Sequence, residues 1–200
     1  FFGGEPLFAP DILSVAVHYS KITAGRKGLI PLFEVSTNGL VSDQTARFVT
    51  EHFNTVVLSL DGPEEIQNLQ RPMRNRKDSF GLAVRFAWNM SQSNAILCLR
   101  SCISTLNVGK MPEITEWFCN TFQPSMINFE SLKSNKKSEE AGIFEPDPVL
   151  FARQYNKSLS IAEKYGVELV NSSIISDSPQ YSSCPVGKDT LIIAPDGMIS

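Results

Sequence analysis

The chain has 200 residues, of which 42 % are apolar and 20 % charged, and its formal net charge is −3. This length and composition suit a globular domain with a sizeable core and exclude collagen, a disordered tail and a disulfide-dense miniprotein. The slight negative charge offers no basic stripe, so no nucleic-acid partner is expected.

Taken in order, the elements alternate between strand and helix. Phe1-Phe2 before Gly3-Gly4-Glu5-Pro6 reads as the end of a buried strand. Asp11 is expected to cap a helix with Leu13, Ala16 and Val17 on its inner side. Leu32 to Ser36 reads as a strand ending at Thr37-Asn38-Gly39. Ser42 then caps a helix burying Ala46, Val49 and Phe53. Thr55 to Leu60 is the next strand, ending at Asp61-Gly62-Pro63, and 64–78 reads as a polar, Arg-rich loop. A helix with Phe80, Val84, Ala87 and Trp88 leads to a strand from Ala95 to Thr105. Pro112 opens a helix carrying Ile114, Trp117 and Phe118. Ser125 to Leu132 is a strand, and Lys133 to Glu140, lacking an apolar anchor, reads as a loop or disordered. Asp147-Pro148 starts a long helix that Gly166 closes, and Val167 to Val170 reads as a further short strand. Leu191 to Ala194 and Met198-Ile199 flank a Pro195-Asp196-Gly197 hairpin turn. Both ends read as interrupted strands, so the chain is expected to be a fragment of a longer protein.

This alternation predicts a parallel α/β fold. Periodicity does not separate an open doubly wound sheet from a barrel. In either, ligands bind at the carboxyl ends of the strands, so the turns at 3–6, 37–39 and 61–63 are expected to face one pocket. Gly3-Gly4 lets main chain approach a ligand closely, and the Glu5 carboxylate beside it suits an ammonium group, or the whole is a plain tight turn. Ser36 and Asn38 offer a hydroxyl and an amide. Ser59 and Asp61 suit sugar hydroxyls, or cap the following segment. Arg71 is the cation for a ligand carboxylate, or a solvated loop charge, which is the reading for Arg74 and Arg76. No apolar run reaches the roughly 18 residues of a membrane span, and no secretion signal opens the chain. No G-x-S-x-G, P-loop or H-E-x-x-H occurs.

Read together, GGEP (Gly3 to Pro6), STNG (Ser36 to Gly39), LSLDGP (Leu58 to Pro63) with a downstream QNLQRP, and ISTLNV (Ile103 to Val108) resemble the radical S-adenosylmethionine (SAM) enzymes. The resemblance is to the branch with a C-terminal SPASM domain, which includes anaerobic sulfatase-maturating enzymes and enzymes that modify ribosomally made peptides. It runs from residue 1 to about 132 and resumes near Cys184. It implies most of a (β/α)6 partial TIM barrel over residues 1–166, with 167–200 a linker and the start of a SPASM domain. It implies that Gly3, Gly4, Glu5 and Pro6 hold the methionine amino group of SAM. Ser59 matches a SAM contact, Ser36 and Asn38 a pocket-lining strand end, with Asp61 beside them. Arg71 matches a residue for the SAM carboxylate or the substrate, and Leu106 and Asn107 the segment near the adenine.

The resemblance further implies an oxidoreductase that cleaves SAM to a 5′-deoxyadenosyl radical and abstracts hydrogen from a peptide or protein side chain. [4Fe–4S] clusters, a flavodoxin or ferredoxin electron donor and a reducing, cytoplasmic setting go with it. Family members hold the SAM cluster with C-x3-C-x2-C before GGEP. The chain contains none, since Cys98 and Cys102 are followed by Thr105 rather than a third cysteine. Cys98, Cys102 and Cys119 are therefore expected to be structural. Cys184, with twelve residues between it and Gly197, resembles the first ligand of an auxiliary SPASM cluster. His18 and His52 are given no role. No catalytic acid or base is identified, and the chain by itself is expected to be inactive. Two alternatives stay open: a catalytically dead peptide-binding scaffold, and a non-radical SAM- or nucleotide-binding α/β protein.

Overall fold

The computed structural model describes residues 1–73, 78–171, 191–194 and 196–199. Its five strands form one parallel sheet in the order β1-β2-β3-β4-β5. They are β1 (Glu34–Thr37), β2 (Thr55–Ser59), β3 (Ile96–Ile103), β4 (Met126–Ser131) and β5 (Glu168–Val170). Order in space follows order in sequence. A doubly wound sheet would reverse at a switch point; this one never does, which is the winding of a barrel. Ahead of β1, Phe1 N donates to the Glu34 carbonyl and its own carbonyl accepts from Ser36 N, so Phe1 extends the ladder at that edge.

The connecting helices are α1 (Pro10–Arg26), α2 (Asp43–His52), α3 (Glu64–Gln70), α4 (Ser79–Ser91), α5 (Met111–Phe122), α6 (Lys136–Glu140) and α7 (Pro148–Tyr165). Strand–helix–parallel strand units are right-handed almost without exception, so the long helices line up on one face, α2 against α4, α4 against α5 and α5 against α7. Their inner residues, among them Val49, Phe86, Met90, Phe118 and Phe122, form one core with Val35, Val56, Leu58, Leu99, Ile127 and Phe129 of the sheet. Each such side chain contributes roughly 1.5–3 kcal/mol by leaving water.

The local signals explain the helix starts. Ser42 Oγ accepts from Thr45 N, Asp78 Oδ1 from Gly81 N and Asp147 Oδ1 from Leu150 N. Gly166, at φ +68, ends α7 in the left-handed region. Three expectations are corrected. Asp11 lies inside the first turn of α1, whose N-cap is Ala9. The supposed loop after Pro63 begins with α3, which the sequence hides because only Ile66 and Gln67 are buried on it. The stretch after Lys133 contains α6, which has no buried residue and stands on a capping box between Asn135 and Ser138. Helix α1 buries Leu13 and Val17, while Ile12, Val15, Tyr19 and Ile22 form an exposed stripe that nothing among the described residues covers. The Asp196-Gly197 turn is present, and Ile193 bridges Ile199 antiparallel.

The opposite face of the sheet carries the chemistry. β2 and β4 alternate between fully buried and half-buried positions. The half-buried set includes Ser36 of β1, Ser59 of β2, Arg100 of β3, and Asn128 and Glu130 of β4, with Val57 and Met126 among them. Register places Ser59 beside Arg100 and Arg100 beside Asn128. Cys98 and Cys102 do share a face, as their spacing requires, but it is this one and not the helix-packed core, to which Cys119 belongs.

Candidate functional site

Two turns meet where the strands end. Gly3 and Gly4 have φ of +92° and +57°, and a Cβ added to either would meet nothing within 4 Å. Their conformation, not crowding, calls for glycine. The next residue, Glu5, grips the neighbouring turn. Thr37 Oγ1 donates to Glu5 Oε1 and Asn38 N to Glu5 Oε2, both at 2.8 Å, while Leu7 N donates to Oε1 at 3.1 Å. The side chain of Asn38 is occupied too, its Oδ1 accepting from Leu40 N. Gly39, at φ +73, is confined: a Cβ there would stand 2.7 Å from Leu58 Cδ1. Glu5 is therefore a clip between turns. Pro6 opens the short 3-10 turn that follows and fixes its start.

The third turn is built around Asp61, which is 1 % exposed. Its Oδ2 accepts from Arg71 Nε at 2.8 Å and from Gln70 Nε2 at 3.0 Å, and its Oδ1 from Cys102 N at 2.9 Å. Its own N–H donates to Gln67 Oε1, and its carbonyl accepts from Ser101 Oγ and Asn107 Nδ2. Gln70 reaches back to the Cys102 carbonyl, and Ser104 Oγ donates to Gln70 Oε1. Asn107, fully buried, receives Ser104 N on Oδ1 and donates to the Cys102 carbonyl. The network ties the end of α3, and with it Arg71, to the ends of β2 and β3. Burial works against the Arg71 charge, but the adjacent Asp61 carboxylate outweighs it and holds the guanidinium pKa above its usual value. Burial, with Asp61 nearby, pushes the Cys102 thiol up to about 11.

A cavity of about 280 Å³ opens between these turns. Gly3, Gly4, Glu5, Ser36, Asn38, Ser59 and Arg71 all line it, so seven residues singled out in the sequence converge on one space. Arg100 lines it as well. The sequence reading missed Arg100, although its place two residues before Cys102 put it on the shared face of that strand. Asp61 lines a neighbouring cavity of about 440 Å³ in which Leu69, Leu132 and Ile143 share the wall with Gln70, Asn135 and Lys137, and Arg71 forms part of both walls. Leu106 and Asn107 line neither. Cys184, Arg74 and Arg76 lie outside the described residues. Among the described residues no three His, Cys, Asp or Glu come together as a metal site, so these residues alone do not fit a [4Fe–4S] cluster. No described helix is long and apolar enough to cross a membrane.

No protein-family model and no curated protein matches the chain. Solved structures do. Native anSMEcpe with bound AdoMet and the Kp18Cys peptide superposes with a TM-score of 0.65 at 21 % identity, over 84 % of this chain and 48 % of that one. Streptococcus suis SuiB bound to S-adenosylmethionine gives 0.61 at 12 % identity, over 90 % and 41 %. A domain of pyruvate-formate lyase-activating enzyme from Bacteroides vulgatus ATCC 8482 gives 0.59 at 15 % identity, over 86 % and 96 %. The chain spans about half the length of the anSMEcpe and SuiB chains it matches. The fold is thus the partial barrel expected from the GGEP, TNG and SLDGP resemblance.

Proposed function

We propose that the chain is the SAM-binding core of a radical SAM enzyme that modifies a peptide or protein, in the manner of the sulfatase maturases. The observation that carries this reading is the convergence of Gly3, Gly4, Ser36, Ser59 and Arg71 on one cavity at the carboxyl edge of the sheet. That set complements a zwitterionic amino acid. Open main chain at the glycine corner takes the ammonium, and Arg71, pre-aimed by Asp61, takes the carboxylate. Ser36 and Ser59 supply hydroxyls between them. The neighbouring cavity, reached past Arg71 and carrying both apolar and polar side chains, suits the adenosyl half, with Leu106 and Asn107 shaping the edge behind it. Two solved structures of this fold are described as holding AdoMet or S-adenosylmethionine, one of them with a peptide.

In this reading a [4Fe–4S] cluster held by cysteines outside the described residues would, together with SAM, supply radical chemistry for hydrogen abstraction from a peptide or protein side chain. The described residues contribute binding, orientation and exclusion of water. Cluster ligands beyond them, an auxiliary cluster at Cys184, a flavodoxin or ferredoxin donor and a cytoplasmic setting belong to the same proposal, as does inactivity of this chain by itself. The test is a SAM titration of the ¹⁵N-labelled chain. Saturable shifts of the Gly3, Gly4, Ser36 and Ser59 amides, reduced by Ser59→Ala, are expected. Saturable SAM binding that leaves those amides unmoved, or no binding, refutes it.

A further inference from the structure

We infer that Arg100 is a receptor for a ligand carboxylate, and that Glu130 is the internal carboxylate it exchanges for that ligand. The inference rests on the SAM site proposed above and adds a second anion-reading group to it. Arg100 projects from β3 on the half-buried polar face, in register with Ser59 on one side and Asn128 on the other, and lines the 280 Å³ cavity.

The two arginines of this cavity are held differently. Arg71, with 33 % of its side chain exposed, is fixed through Nε at 2.8 Å to an Asp61 that is 1 % exposed. Arg100, with 41 % of its side chain exposed, meets Glu130 through a terminal nitrogen at 3.3 Å, and Glu130 is itself 23 % exposed. A guanidinium carries several N–H donors in a planar fork suited to grasping a carboxylate with two bonds. The Glu130 contact at 3.3 Å leaves N–H capacity for a second carboxylate, and Arg100 is among the residues lining the cavity. Glu130 Oε1 also accepts from Asn128 Nδ2 at 2.9 Å, so the glutamate keeps a donor of its own when Arg100 turns away. An arginine on a half-buried sheet face is costly to desolvate unless paired. The long Arg100–Glu130 pair meets that cost while leaving the cation exchangeable.

The carboxylate has two possible sources, an acidic residue of the substrate or SAM itself. Because the Asp61-fixed Arg71 already suits the SAM carboxylate, the substrate source is favoured. It predicts a preference for a peptide with an acidic side chain near the residue being modified.

The experiment compares wild type, Arg100→Gln, Arg100→Lys and Glu130→Gln, each checked for unchanged thermal unfolding. With SAM saturating, wild type should bind Ala-Ala-Glu-Ala-Ala about tenfold more tightly than Ala-Ala-Gln-Ala-Ala. Arg100→Gln should erase that ratio without changing binding of the Gln peptide, and Arg100→Lys should restore part of it. Glu130→Gln should tighten the Glu peptide severalfold by removing the competitor. If instead Arg100→Gln weakens SAM but not 5′-methylthioadenosine, Arg100 still reads a carboxylate and its source is SAM. If wild type binds no SAM, the preceding proposal fails; Arg100 is then tested with glutarate, whose binding must weaken in Arg100→Gln. Unchanged carboxylate binding in Arg100→Gln, or weaker binding in Glu130→Gln, overturns the inference.

Discussion

The Glu5 corner and the Asp61 corner look alike in sequence, each a carboxylate beside glycine and proline at a strand end. They are built differently. Glu5 is half-buried and clips the first turn to the β1 end through three donors, leaving Gly3 and Gly4 with open space around them. Asp61 is sealed at 1 % exposure and gathers the ends of β2, β3 and α3 into one bonded cluster. Both carboxylates hold other groups in place, and Glu5 shares the cavity wall with main chain, hydroxyls, an amide and two guanidinium groups. A polar turn in a sequence therefore identifies a site's frame before it identifies its contacts.

The contrast predicts unequal consequences. Asp61→Ala should cost the most, about 3–5 kcal/mol, because it leaves Arg71, Gln70 and the Cys102 amide without their shared partner in a buried place; urea unfolding measures it. Gly39→Ala comes next, at about 2 kcal/mol by the same measurement, since alanine is strained at φ +73 and its Cβ would press on Leu58. Glu5→Gln should cost only about 1 kcal/mol, because the clip is partly solvated and an amide keeps one of its acceptors. If Glu5→Gln proved as damaging as Asp61→Ala, the distinction between the corners would collapse. Ser59→Ala should change stability by less than about 0.5 kcal/mol while weakening SAM severalfold in a calorimetric titration. That split separates a ligand-facing group from the frame.

A pH series sharpens the comparison on the sealed side. Burial raises Cys102 and Cys119 to about 11, against an ordinary thiol near 8.5 in the unfolded chain. Between roughly pH 9 and pH 11 the unfolded state loses protons that the folded state keeps, so stability must fall as pH rises through that window. Thermal melts should show the decline, and it should shrink in Cys102→Ser. The same burial predicts slow alkylation of both thiols by iodoacetamide at pH 8.

Much of this was legible beforehand. The strands announced themselves as compact apolar runs, and Ser42, Asp147 and Gly166 marked helix ends because capping is local chemistry. The convergence of Gly3, Ser36, Ser59 and Arg71 followed from their places just beyond strand ends. Winding was not legible, because periodicity within an element carries no information about which strand it pairs with. Helix α3 was hidden because it is held by Gln67, Gln70 and Asp61 and not by an apolar stripe. The partners of Glu5 and Asp61 were not legible for the same reason, since they lie 32 to 41 residues away in Thr37, Asn38 and Cys102. Arg100 was passed over because one charge in an apolar strand gives no motif; its alternation with Cys98 and Cys102 was the available signal.

The most direct test of the account is a crystal structure of the chain with SAM. The account predicts the methionine end in the 280 Å³ cavity, its ammonium at the Gly3-Gly4 main chain and its carboxylate on Arg71, with Arg71 still paired to Asp61. SAM bound elsewhere, or Arg71 drawn off Asp61 to meet it, would contradict the account.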